Sequence, residues 1–128
     1  MNHDDVQAWL DRYIEAWRTY DAEKIGALFS EDALYFYRPA DEHNPVRGRM
    51  AIVASWLEHP DNPNSWHAHY NPIAVDGRVA VAQGRTRYMH EDGTLRRAFD
   101  NIFVLHFDDE GRCSRFTEWY IQRPDPGA

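Results

Sequence analysis

The chain has 128 residues, 43% of them hydrophobic, with five Trp, seven Tyr and six Phe, and a formal net charge of −7. That length supports one hydrophobic core, so residues 1–128 are read as a single domain. The acidic balance excludes the basic footprint that nucleic-acid binding needs, and equally any attraction to anionic membrane surfaces. One cysteine, Cys113, excludes an intrachain disulfide and a thiolate metal cage.

No apolar run approaches the length of a membrane span. The polar, acidic stretch Met1 to Asp5 lacks a secretory pattern, so a cytoplasmic setting is expected.

In chain order, Val6, Trp9, Leu10, Tyr13, Ile14 and Trp17 recur at helical spacing and predict an amphipathic first helix, capped by Asp4 or Asp5. Asp21 caps a shorter second helix with Ile25, Leu28 and Phe29 as its buried positions. Residues 33–37 read as a short strand that Pro39 ends, and 40–47 as a loop. Gly48 opens a third helix reaching about Glu58, with Ile52, Val53, Trp56 and Leu57 on one face.

After the turn-rich 60–65 the period becomes strand-like. The pairs Asp76-Gly77, Asp92-Gly93 and Glu110-Gly111 divide the remainder into four strands, about 66–75, 78–90, 94–107 and 112–122. Strands joined by tight turns are antiparallel neighbours, and helices followed by strands make an α+β domain with the helices on one face of the sheet.

Several stretches together carry a family resemblance: Tyr13 and Trp17, the run Asp21 to Asp32, Val46 to Arg49, His67 to Pro72, and Asp108 to Tyr120. In order and spacing they resemble the nuclear transport factor 2-like superfamily, and within it the SnoaL-like and ketosteroid isomerase-like domains. The resemblance implies a cone-shaped, cystatin-like roll. N-terminal helices would pack inside a strongly curved, mainly antiparallel sheet, leaving a blind hydrophobic pocket, and the convex sheet face would make a homodimer.

By the same resemblance, Asp100 and the row Phe116, Glu118 and Tyr120 point into the pocket, faced by Tyr13 from the first helix. Asp100 then corresponds to a protonated acid beside a tyrosine in an oxyanion hole. The competing reading pairs Asp100 with an arginine, Arg87 or Arg97, as a structural ion pair. The isomerases' general base, just before a proline in the first strand, is replaced here by Tyr37 or Arg38, so steroid isomerisation by that mechanism is not expected. Glu118 resembles an acid of the limonene epoxide hydrolases, with Arg85 or Arg87 and Asp100 completing a trio. Its competing reading is a cross-strand pair with an arginine.

His67 lies near a catalytic histidine of the dehydratases. His67 and His69 share a strand face, but spacing supplies no third ligand, so no metal is assigned. No cofactor is expected, and no phosphate loop, dinucleotide fingerprint or nucleophile elbow is present. Trp17, Phe36, Trp56, Ile102, Phe116 and Tyr120 are expected to line the pocket, and Trp119 and Ile121 to lie on the convex face.

The expectation is acid/base chemistry on a small hydrophobic or aromatic ligand: Asp100 as acid or oxyanion donor with Tyr13, His67 or Glu118 as base, and Arg87 in support. The alternative is a non-catalytic ligand-binding or dimerisation module, in which Asp100 and Glu118 are held in ion pairs with Arg85, Arg87 or Arg97.

Overall fold

The computed structural model describes residues 1–124. Helix α1 (His3–Thr19) buries Val6, Trp9, Leu10, Tyr13 and Ala16, the stripe its periodicity predicts. Its cap is Asn2 rather than Asp4 or Asp5. Asn2 Oδ1 accepts from the Asp5 N–H at 2.9 Å, and Asp5 Oδ2 accepts from the Asn2 N–H at 3.0 Å. This reciprocal pair satisfies two amides at once, which a lone aspartate cap does not. Tyr20 closes the helix in the left-handed region at φ 49°. Asp21 then caps α2 (Ala22–Ala27), accepting from the amides of Glu23 and Lys24.

Phe29 is not a helix residue. Strand β1 runs Phe29–Phe36, four residues earlier than its local sequence suggests, because Phe29 pairs with Cys113 and the Cys113 amide donates to Leu28 O at 2.8 Å. Tertiary pairing here overrides helical propensity. A 3₁₀ turn (Pro39–His43) and a two-residue strand β2 (Val46–Arg47) occupy the expected loop, followed by α3 (Arg49–Glu58).

Strands β3 (Trp66–Asp76), β4 (Val79–Met89), β5 (Leu95–Phe107) and β6 (Cys113–Gln122) match the sequence reading within a few residues. Each connecting turn carries a glycine at positive φ: Gly77, Gly93 and Gly111.

The sheet order is β2-β1-β6-β5-β4-β3, antiparallel throughout except for the parallel β1/β6 pair. This is the α+β architecture predicted, three helices on one face of a curved open sheet. Between them lies an aromatic core. Trp9 meets Phe107 edge-on, Tyr13 stacks on Phe116 at 5.7 Å, and Phe116 stacks on Tyr35 at 4.3 Å.

Register decides which side chains face the helices. Tyr70, Gly84, Asn101 and Tyr120 align across β3 to β6, and Ala82, Phe103 and Glu118 form another row of the same parity. The alternate rows, His69-Arg85-Asp100-Ile121 and Asn71-Gln83-Ile102-Trp119, face outward. The sheet therefore has two chemically distinct faces.

Candidate active site

A cavity of about 590 Å³ opens between the helices and the inward sheet face. Its walls come from α1 (Tyr13, Trp17), β1 (Tyr35), α3 (Trp56) and the inward rows of the sheet, with Glu118 among them. Its exposed rim carries Arg38, Glu58, His59 and Arg97.

Glu118 is the centre of the chemistry. Its Oε2 accepts from Asn101 Nδ2 at 2.8 Å, and no cation pairs with it among the described residues. Burial disfavours the carboxylate and pushes its pKa up to about 7, against the lowering effect of the Asn101 hydrogen bond. A carboxyl with that pKa is part acid, part base at neutral pH.

Behind it runs a buried polar chain. Tyr70 and Thr86 share a 2.6 Å hydrogen bond, and Thr86 Oγ1 donates to Asn101 Oδ1 at 3.0 Å. Gly84 makes room for this chain. A Cβ there would lie 2.3 Å from the Tyr70 ring and 2.0 Å from His69 O, so no side chain fits.

Phenols surround the acid. Tyr13 and Tyr35 are buried and lie beside each other, and their pKa values rise well above the ordinary value through desolvation, with Glu118 adding to the effect. No carboxylate or carbonyl among the described residues takes a proton from either hydroxyl, so at least one phenol proton is free for a ligand oxygen. Trp56 adds a buried indole N–H without a partner. Tyr88 is likewise pushed up to about 12 by burial. All these groups remain neutral donors at physiological pH.

The rim is tied down by Asp61. It accepts from Trp17 Nε1 at 3.1 Å and from the Tyr20 hydroxyl at 3.4 Å, while its own amide donates to that hydroxyl at 2.8 Å. Trp17 in turn stacks on Trp66 at 3.6 Å.

Of the residues expected from sequence, Tyr13, Glu118, Trp17, Trp56 and Tyr120 lie at the cavity. Phe116 lies fully buried in the core, stacked against Tyr13 and Tyr35. Phe36 is buried outside the lining, with the Arg115 guanidinium 4.6 Å from its ring centroid.

Asp100, His67, Arg87 and Ile102 are corrections: all four belong to the outward face. Asp100 pairs across the sheet with Arg85 at 3.2 Å and with Arg123 at 2.9 Å, and it is 53% exposed. Its partners are thus Arg85, one of the arginines that the non-catalytic reading names, and Arg123, and not Arg87 or Arg97. The physical reason is strand parity. Asp100 is in register with Ile121, one residue off the Asn101–Tyr120 row, and a one-residue offset places a side chain on the opposite face. The Arg85/Arg87, Asp100 and Glu118 trio cannot assemble, because the sheet separates its members.

The signal missed in the sequence is the neighbour, Asn101, a polar residue of opposite parity in the same apolar strand. Tyr70 and Thr86 gave no local signal, since they acquire meaning only through cross-strand register. Cys113 is fully buried, and burial pushes its thiol up to about 12, out of reach of thiolate chemistry at neutral pH.

Helices packed on one face of a curved open sheet, with a cavity between the two, match the nuclear transport factor 2-like fold. The sequence matches the SnoaL-like domain family over residues 10–116, and the chain belongs to that family. Among solved structures it resembles a Kribbella flavida protein assigned as a candidate ketosteroid isomerase. The TM-score is 0.69 at 20% identity, covering 98% of this chain and 84% of that one. It also resembles a nuclear transport factor 2-like protein of unknown function from Burkholderia xenovorans LB400, with TM-score 0.70, 16% identity, and coverage of 97% and 89%. At these identities the likeness establishes the fold. No curated protein matches the sequence.

Proposed function

We propose that this chain is an enzyme moving a proton on a small hydrophobic or aromatic substrate that carries a carbonyl oxygen. Glu118 takes the proton from carbon and returns it. Tyr13 and Tyr35 hold the oxygen as negative charge develops on it. The observation that carries this reading is the half-buried Glu118 carboxyl, without a cation partner, opening on a cavity whose buried polar groups are neutral and whose charged groups lie toward the rim. A pKa of about 7 matches the group to its operating pH, and desolvated donors stabilise an enolate-like charge more than water does. The apolar walls supply binding for rings or short aliphatic groups. The chemistry asks nothing beyond the chain's own side chains, and the setting we assign is cytoplasmic.

The test is deuterium exchange at the α-carbon of simple cyclic ketones in D₂O, followed by NMR. Wild type should accelerate exchange, and Glu118→Gln should lower the catalysed rate about 10²–10⁴-fold. Equal rates from the two proteins would overturn the assignment, and tight ketone binding with no exchange would leave the chain a binding module.

We also propose a homodimer through the outward face of β5 and β6. Ile102, Trp119 and Ile121 are adjacent there and 36%, 42% and 74% exposed, an apolar patch suited to a twofold contact. Light scattering should give twice the 15.1 kDa chain mass, and Ile121→Asp should return it to one chain. A wild-type monomer at high concentration would contradict this.

A further inference from the structure

The chain of hydrogen bonds behind Glu118 has a direction, and that direction fixes which carboxyl oxygen works. An ionised Glu118 can only accept, so Asn101 must turn its amide nitrogen toward it, as the 2.8 Å contact from Nδ2 to Oε2 shows. The amide oxygen then faces Thr86, whose hydroxyl must donate to it at 3.0 Å. With its only proton spent, Thr86 must accept, so the 2.6 Å contact makes Tyr70 the donor. Thr86 and Asn101 are 2% and 5% exposed and Tyr70 is 2% exposed, so each member of this chain is nearly closed to solvent.

The arrangement resists reversal. Turning the Asn101 amide over would present its nitrogen to Thr86 and leave one buried hydroxyl proton, that of Thr86 or that of Tyr70, with no side-chain acceptor among the described residues. An unpartnered buried donor is costly. The amide therefore keeps its orientation when Glu118 becomes protonated. Oε2 stays covered by Nδ2, and the acidic proton has only Oε1 to occupy. Oε1 has no hydrogen-bond partner among the described residues and is not among their sealed, unpartnered atoms, so it is the oxygen open to the cavity.

We propose that Asn101, held by Thr86 and Tyr70, is a positioning residue that makes Glu118 Oε1 the oxygen that takes up the proton and delivers it to the ligand. This rests on the reading of Glu118 as the acid/base group, but the relay itself is a property of the ligand-free protein. The phenols facing Glu118 are Tyr13 from α1, Tyr35 from β1, Tyr37 just past the end of β1, Tyr70 from β3 and Tyr88 from β4. Burial raises the pKa of each, so none of these phenols titrates alongside it near neutral pH. Arg38, Glu58, His59, Asp61 and Arg97 share the cavity lining with it and stay common to every variant below.

The experiment is a ¹³C NMR titration of the Glu118 carboxyl in wild type, Thr86→Val, Thr86→Ser and Tyr70→Phe. Thr86→Val keeps the shape but removes the donor, freeing the amide to present its oxygen to a protonated Glu118. Its midpoint should rise about one pH unit. Thr86→Ser restores the hydroxyl and should return the wild-type midpoint, while Tyr70→Phe should rise by less. An unchanged midpoint in Thr86→Val, or no rescue by Thr86→Ser, would overturn the relay.

Should Thr86→Val not fold, the Asn101 side-chain amide in wild type serves instead. Its two Nδ2 proton signals should track the Glu118 titration with the same midpoint, and insensitivity to that titration would overturn the proposal. Ketone exchange by Glu118→Gln judges the enzymatic reading separately. A relay that passes with Glu118→Gln still active would sink that reading and leave the relay standing.

Discussion

Two carboxyls lie on opposite faces of the same strongly curved sheet and behave as opposites. Asp100 on the outer face is half exposed and shared by Arg85 and Arg123. Glu118 on the inner face has no cation, one amide donor and a wall of aromatic rings. Residue type and strand context are similar; the face of the sheet makes the difference. Water and guanidinium groups keep an outer acid in an ordinary surface role. Desolvation on the inner face instead holds an acid near neutrality, where a proton can move either way.

The largest break in that contrast is expected from exchanging each acid for its amide. Glu118→Gln should cost about 10²–10⁴-fold in ketone exchange, whereas Asp100→Asn should leave the rate within about twofold. Equal losses in both would mean that the two faces are not functionally distinct.

Next comes stability against pH. The Glu118 pKa is raised from 4.5 to about 7 on folding, so between these values the native state binds more protons than the unfolded state. Stability therefore falls as pH rises through that window, by about 3 kcal/mol from this group, and is flat in this contribution above and below it. Urea unfolding of wild type and Glu118→Gln from pH 4 to 8 measures the difference. The variant should be the more stable of the two at pH 8, and a constant gap across the window would contradict the assignment.

A smaller effect sharpens the packing behind the acid. Gly84→Ala forces a methyl group into backbone and the Tyr70 ring, and should destabilise by about 1–3 kcal/mol while disturbing the Tyr70–Thr86 contact. The smallest is Asp100→Asn, expected to cost below about 1 kcal/mol because an exposed, solvent-screened pair contributes little. Chemical denaturation reads both.

Much of this fold was legible in the residues. The apolar stripe from Val6 to Trp17, the Asp21 cap and the three glycine turns are local signals, and each specifies its element without help from distant parts of the chain. Glu118 and Tyr13 were legible as site candidates for a related reason, since both belong to stretches that carry the family resemblance. What could not be read was register. Asp100 interrupts an apolar strand, yet Asn101 beside it interrupts the same strand and faces the other way. Choosing between them requires knowing that Asp100 lies opposite Ile121, and the β5/β6 register shift at His106–Phe107 hides that from any count along the chain. Phe29 was misread for a similar reason, because its strand character comes from a partner more than eighty residues away.

The measurement that tests the central claim most directly is the Glu118 carboxyl titration in the wild-type, ligand-free protein, identified by the signal that disappears in Glu118→Gln. The account predicts a midpoint near 7. A midpoint near 4.5, the ordinary glutamate value, would show that the inner face does not hold this acid at neutrality and would contradict the account.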